Sequence, residues 1–450
     1  MRVDCIHTAA RRTPDAWTTE NKMTAKRAID VLLLLAAFCC AGGVRADDTP
    51  VTTQIQQVVD DYLAQRRDVE GISGVSLYIS LGDPGPVIEA FSGDNGRDNK
   101  VPIDGDTLFQ IGSNTKHFEA AVVLALEAEQ LLNINQTVGY WLPEYPAWRN
   151  VTIRQLLQMT SPIPNYSETV AIGQIIGSDP FHQFTKRELI AGAYPRPDNR
   201  LPIPSGWFYS NTNNILAALI IEKAAQMPFK DALEKFAFQP AGLHNSFYMA
   251  GIYQDEVLDR VPRGLFENET CLDYQEYQGS PCPPSLLAPL IGRDLSGQNM
   301  SWAGAAGAIV SNPRDLAKWI RGLFGSRIIP QDQLQEMTTL VSQQTGKPVK
   351  EATKDDPFTF GLDLGQIYRA ETGGRFWFYE GITLGFRTIF AYWPQFDLVI
   401  TASTNSQPPE GENRLGDQVV AGAFGVLVKA GMIGPTPPPG PLDLPGGDPD

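Results

Sequence analysis

Ser113 and Lys116 stand three residues apart in the run GSNTK, at the head of a long apolar stretch. Residues three apart on a helix share a face, so this spacing predicts the lysine amine one turn above the serine hydroxyl. A serine hydroxyl is a weak nucleophile until a neighbouring base takes its proton. A lysine removed from water gives up its own proton more readily and can be that base. A helix start also presents unpaired N–H groups, which stabilise an oxyanion. The spacing alone is common, and a helix cap accounts for it equally well. Further on, Tyr209 and Asn211 sit in the run YSN, after PSGW and before another apolar stretch. A phenol held near the amine can take and return a proton, and can protonate a leaving group. Asn211 offers an amide to a substrate carbonyl. A buried tyrosine beside a helix-capping asparagine is the other reading of this pair.

The elements that must position these groups follow from periodicity. Gln54–Gln65 reads as an amphipathic helix. Val75–Ser80 and Val87–Ser92 read as strands joined through the turn-forming GDPG at Gly82 to Gly85. His117–Leu132, Val151–Met159, Asn213–Ala225 and Asn312–Phe324 carry apolar residues at helical spacing. Phe376–Thr383, Phe386–Trp393 and Leu398–Ser403 are strand-like runs, and Arg414–Lys429 is a last helix. Strands lie at both chain ends and helices between them. The economical packing is an α+β fold, an α/β sandwich: one antiparallel sheet built from both ends, flanked by helices, with an all-helical region inserted. A cleft between sheet and insert is the expected place for a site. The tail from 433 to 450 is rich in Pro, Gly and Asp and reads as disordered.

With 42% hydrophobic and 19% charged residues among 450, the composition is that of an ordinary globular protein. The net charge of −15 argues against nucleic acid or an anionic membrane as partner. Lys26 and Arg27, then the apolar run Val31–Val44, then a small-residue site ending at Ala46, have the order of a secretory signal. Residues 1–46 are therefore expected to be removed, leaving no stable membrane span and a periplasmic or secreted protein; a retained anchor is the alternative. Met23 offers a second possible start. Export makes Cys271 and Cys282 a candidate local disulfide, worth roughly 2–3 kcal/mol in the chain-entropy model. Two free thiols are the alternative. His7, His117, His182 and His244 have no metal-ligand spacing, and there is no G-x-S-x-G elbow or G-x-G fingerprint. On a helix, His117 points about 100° away from Lys116 and reads as a packing residue.

The order S-x-x-K, then Y-x-N, then a strand motif ending in Gly resembles the serine β-lactamase and penicillin-binding-protein superfamily, in its class C β-lactamase, D-peptidase and family VIII esterase branch. The resemblance runs over most of residues 47–432. It rests on FQIGSNTK from Phe109, LLNINQTV from Leu131, WLPE from Trp141, VTIRQLLQMTS from Val151, and Ala303, Gly304, Gly307 and Asp315 to Lys318. It implies a β-lactamase/transpeptidase-like fold and an acyl-enzyme at Ser113, with Lys116 and Tyr209 moving protons and Asn211 placing the substrate. It also implies an oxyanion hole from the backbone N–H groups of Ser113 and Ile382, and no metal or organic cofactor.

The third motif departs from the family. Where Lys-Thr-Gly or His-x-Gly is usual, this chain has Tyr379, Glu380 and Gly381. Tyr379 keeps a hydroxyl but is neutral near pH 7, and strand alternation sends Glu380 to the opposite face. Losing a charge-assisted hydrogen bond costs roughly 1.5–3 kcal/mol, so substrates bearing a carboxylate should bind less well unless Arg375 or Arg387 compensates. A Tyr379 that merely packs in the sheet is the other reading. A further departure is Pro162 after Thr160 and Ser161, where the family often has glycine. The expected activity is hydrolysis of a small-molecule or peptidoglycan-like acyl substrate, a β-lactam or a D-amino-acid peptide. The alternatives are a carboxylesterase of the same fold, or a catalytically weak binding or scaffold protein. The oligomeric state is not legible.

Overall fold

Period-two alternation along Phe386–Trp393 sorts its side chains to two sides: Phe390 and Tyr392 toward one apolar core, Ile389, Ala391 and Trp393 toward another. A strand that buries both faces must lie inside a sheet covered by helices on each side. The structure, a computed structural model, describes residues 49–434 apart from 198, 269–285 and 410. The expected signal, Cys271 and Cys282, and the tail from 435 lie outside the described residues.

In chain order the principal elements are α1 (Val51–Glu70), β1 (Gly74–Leu81), β2 (Val87–Gly93), α2 (Thr115–Ala128), α3 (Asn211–Ala225) and α4 (Pro313–Phe324). There follow β3 (Leu340–Ser342), β4 (Pro348–Val349), β5 (Phe358–Phe360), β6 (Gly365–Arg369), β7 (Gly374–Thr383), β8 (Phe386–Trp393), β9 (Leu398–Thr404) and α5 (Ala421–Lys429). The strands form one nine-stranded sheet in the order β2-β1-β9-β8-β7-β6-β5-β3-β4. Every pairing in it is antiparallel. β1 from the start of the chain pairs with β9 from its end, Val75 opposite Thr404 through Leu81 opposite Leu398. The fold is therefore the expected α+β sandwich, one antiparallel sheet built from both chain ends and flanked by helices.

Helix α1 buries Ile55, Val59, Tyr62 and Leu63, a single stripe, and ends at Gly71 in the left-handed region. It packs with α5 on one side of the sheet, where the core holds Leu77, Ile79, Ile400, Ala402, Val419 and Phe424. On the other side α4 starts from an Asn312 cap and a Pro313 in its first turn. Helix α2 differs from both. Every residue from Thr115 to Leu124 is buried, so it runs through the interior. An interior helix ought to be apolar all round, yet Lys116, His117 and Glu119 on it are fully buried. Those three are the interior charges and polar rings that need an account.

Among the described residues the inserted region is helical apart from two small sheets, a three-stranded one of Phe109–Gln110, Phe247–Tyr248 and Ile309–Ser311 and a parallel pair of Leu265–Phe266 with Ser406–Gln407. Strands of two or three residues leave too short a pattern to read from sequence, which also holds for β3, β4 and β5. The expected last helix begins as a π-helical stretch, Leu415–Val420, before α5.

Candidate active site

Ser113 lies in a single turn, Gly112–Asn114, that leads from Phe109–Gln110 into α2. Gly112 has φ of 52°, and a Cβ there would stand 2.7 Å from the backbone nitrogen of Ile382. A Cβ on Gly381 would stand 1.8 Å from the carbonyl oxygen of Ile111. Both glycines are thus required for the turn to lie directly against β7, and this contact brings Ser113 beside Gly381 and Ile382. The Asn114 amide fastens it, donating to Ile111 O at 3.0 Å and, across to β8, to Thr388 O at 2.8 Å. Beyond Phe378 the other edge of β7 has no strand paired to it among the described residues, because β6 pairs only with Gly374–Phe378.

Three side chains converge. Lys116 Nζ lies 3.1 Å from Ser113 Oγ, and Tyr209 Oη lies 2.6 Å from the same oxygen. The lysine also stands 4.9 Å from the centre of the Tyr209 ring and donates to the carbonyl oxygen of Ala306 at 2.7 Å. Lys116 is fully buried, whereas Ser113 is partly open to solvent. A reacting carbonyl could therefore reach the hydroxyl but not the amine. The Ala306 carbonyl is presented by the turn Gly304–Ala306, within the glycine-rich block that the sequence singled out. No residue type announces a backbone acceptor, so Ala306 was invisible in the sequence.

Asn211 opens α3 just beyond Tyr209. Its backbone N–H donates to Asn165 Oδ1 at 3.0 Å, and its side-chain amide donates to Ser167 Oγ at 2.9 Å. Asn165 and Ser167 thereby fix this loop, and neither was singled out in the sequence. Ile382 is 42% exposed, on a strand otherwise largely covered.

Tyr379 is placed differently. It is 7% exposed and packs edge-on against His117 and Phe360. Its hydroxyl makes no hydrogen bond of good geometry among the described residues, although the Tyr209 phenol lies within its reach. Burial, then the neighbouring Tyr209 and Asp363, hold this phenol well above the ordinary range, so it is neutral. Glu380 goes to the other side of β7, where it accepts from Asn413 Nδ2 at 2.6 Å. His117 accepts from Trp319 Nε1 at 2.9 Å, and burial pushes it down to about 3, so it is a neutral packing ring.

The two arginines named as able to compensate for the third motif are engaged elsewhere. Arg387 is fully buried on the α1 side of the sheet and ion-pairs with Glu70 at 2.6 Å. Strand alternation carries its side chain away from Tyr379 and the cleft. Arg375 pairs with Glu351 at 2.5 Å, six residues before Gly381 on β7, about 20 Å along an extended strand.

The Beta-lactamase family model matches residues 59–423. The chain belongs to the beta-lactamase family. Within it, the chain is 34% identical to penicillin-binding protein 4* of Bacillus subtilis over 156 residues, which is 33% of this chain and 32% of that one. It is 27% identical to esterase EstB of Burkholderia gladioli over 216 residues, 45% of this chain and 53% of that one. The chain thus spans between a third and about half of the length of these curated relatives. Among solved structures it resembles the D-amino acid amidase of Ochrobactrum anthropi SV3, with a TM-score of 0.66 at 22% identity, covering 84% of this chain and 99% of that one. That likeness is one of fold. Among the described residues, no helix is long and apolar enough to cross a membrane.

Proposed function

We propose that this beta-lactamase-family protein is an exported serine hydrolase that forms an acyl-enzyme at Ser113. The observation that carries the reading is the three-way contact at one oxygen: Lys116 Nζ at 3.1 Å and Tyr209 Oη at 2.6 Å from Ser113 Oγ. Attack joins Oγ to the substrate carbonyl carbon while the serine proton passes to whichever of these two neighbours has lost its own. The oxyanion so formed meets the N–H groups of Ser113 and Ile382. The bond to the leaving group then breaks, and Tyr209 returns the proton to the departing nitrogen or oxygen. Water repeats the sequence on the acyl-enzyme. The N-terminal signal motivates a periplasmic or secreted location.

Engagement of Arg375 and Arg387 elsewhere narrows the substrate. β-Lactams and D-amino-acid peptides carry a carboxylate, and neither arginine is placed to receive one. Esters and amides without a free carboxylate fit this cleft better, which brings the esterase alternative forward.

The test is intact-mass measurement and turnover with a p-nitrophenyl ester, a D-amino acid amide and a penicillin. A covalent adduct that is lost in Ser113→Ala is expected, with ester and amide turned over faster than penicillin. No adduct and no turnover with all three would return the chain to a binding or scaffold role.

A further inference from the structure

The stripe that carries Ser113 and Lys116 continues inward. Glu119 is the next residue at a spacing of three on α2, and it is fully buried. Facing it on α3 is Asn214, one turn beyond Asn211 and also fully buried. The single amide nitrogen of Asn214 donates to Glu119 Oε2 at 2.7 Å and to Asp363 Oδ2 at 2.8 Å. Asp363 is the third fully buried member, in the bend between β5 and β6. Its φ is 51°, a left-handed conformation rare for a residue with a side chain, and its N–H is held by Leu157 O at 2.7 Å. The bend is thus fixed so that this carboxyl meets that amide.

Counting hydrogens exposes what is missing. Glu119 Oε1, Asp363 Oδ1 and Asn214 Oδ1 are buried acceptors without a donor among the described residues. Three acceptors and no spare N–H is an arrangement that buried polar groups avoid. A proton on a carboxyl turns one acceptor into a donor. Two carboxylates this close in a dry interior also repel, so one keeps its proton. Burial first, and for Glu119 then the charge of Asp363, hold both well above the ordinary carboxyl range. The charged groups facing the cluster are Lys116 from α2 and, toward Glu119, Lys186, which is itself paired with Glu222 at 2.9 Å. The titratable phenols facing it are Tyr379 near Asp363 and Tyr248 near Glu119, and Tyr209 adjoins Tyr379.

We propose that Glu119 and Asp363 share one proton across Asn214 and so present a single negative charge that supports Lys116 as the base for Ser113. They are positioning residues, since neither touches the serine. The role at Ser113 rests on the hydrolase reading above; the shared proton does not. When Lys116 takes up the serine proton, the remaining carboxylate stabilises the ammonium.

The test is a 13C NMR titration of the Lys116 ε-carbon, assigned by its loss in Lys116→Arg, which needs no activity. Glu119→Gln and Asp363→Asn each leave one carboxylate, so each moves the Lys116 midpoint by no more than a few tenths of a pH unit. The double variant leaves none and lowers the midpoint by about one unit, the scale of a nearby charge lost at an effective dielectric near 20. In the double variant the acid limb of kcat for the p-nitrophenyl ester moves down with it and KM is unchanged. Asparagine tolerates the left-handed bend, and the single variants report should the double fail to fold. Equal, additive shifts from the two single variants, or no shift in the double variant, would overturn the proposal. A wild-type protein that forms no adduct sinks the hydrolase reading, while the titration still decides whether the proton is shared.

Discussion

Two clusters of buried charge lie on opposite sides of the same sheet, and they are built by opposite rules. Behind the sheet, Glu70 and Arg387 are both fully buried and 2.6 Å apart. Tyr62 donates to one Glu70 oxygen at 2.7 Å and Arg66 to the other at 2.6 Å. Arg387 donates to Ser406 O at 2.9 Å and Asn413 Oδ1 at 2.7 Å. In front, Glu119, Asn214 and Asp363 leave three oxygens without donors among the described residues. The rear cluster joins α1 to β8, elements far apart in the chain, and its hydrogen bonds are complete. The front cluster adjoins the one lysine that the candidate chemistry needs. A buried ion pair with full hydrogen bonding is tolerated as structure. Two buried carboxyls left short of donors beside that lysine are groups on which a proton can be put to use.

Breaking the rear cluster should have the largest effect. Arg387→Met takes away one of the two cations on Glu70 and leaves Arg66, at 2.6 Å, as its remaining counter-charge. Removing the only partner of a buried charge costs about 3–5 kcal/mol; with Arg66 still in place, urea unfolding should show a loss at the low end of this range, about 3 kcal/mol. The double variant Glu70→Leu with Arg387→Met should recover most of it, because apolar replacement of both partners is near neutral or better. A single variant as stable as wild type would remove the contrast from this side.

The front cluster should respond with the opposite sign and with a pH dependence. A carboxyl whose folded pKa lies above its unfolded value binds more protons in the folded state. Stability then falls as pH rises from the unfolded value toward the folded one. For one proton the slope is about 1.4 kcal/mol per pH unit, beginning near the unperturbed glutamate value of about 4.3. Glu119→Gln removes that uptake and leaves Asp363 as the charge. The variant should match wild type near pH 4 and exceed it increasingly toward neutrality, as read by urea midpoints across pH. A difference that is flat with pH would mean that no proton is taken up here on folding.

These two clusters also show how far the sequence could be read. Ser113, Lys116 and Tyr209 were legible because a three-residue spacing on a helix and a Y-x-N run have direct geometric meaning, and the structure brings all three to one oxygen. The principal strands and helices were legible from periods of two and 3.6. The Ala306 carbonyl, the Ser167 partner of Asn211 and the short strands β3 to β5 had no such signal. Glu119 and Asn214 sat within reach, at helical spacing from Lys116 and Asn211. Their meaning depends on Asp363, which reaches them only through a bend fixed by a left-handed φ of 51°. Arg387 misled in the other direction: its place near the third motif suggested a substrate contact, but alternation on the strand turned it to the rear cluster.

Tyr379 lies between the two cases and should give the smallest effect. It occupies the position where the family usually carries a cation-bearing motif, yet it is 7% exposed and its ring is held by His117 and Phe360. The hydroxyl beside it, that of Tyr209, is already engaged with Ser113 at 2.6 Å, so Tyr379→Phe gives up at most a poorly aligned contact and should leave stability within about 0.5 kcal/mol of wild type. If the ring acts by packing, KM for an uncharged ester should also stay within about twofold, well under the 1.4 kcal/mol that a tenfold change represents. A tenfold rise in KM with stability intact would instead put the hydroxyl in contact with substrate. It would then supply the third motif with a neutral donor where its relatives use a charge, and the preference for substrates without a carboxylate would follow from that donor as well as from the occupied arginines.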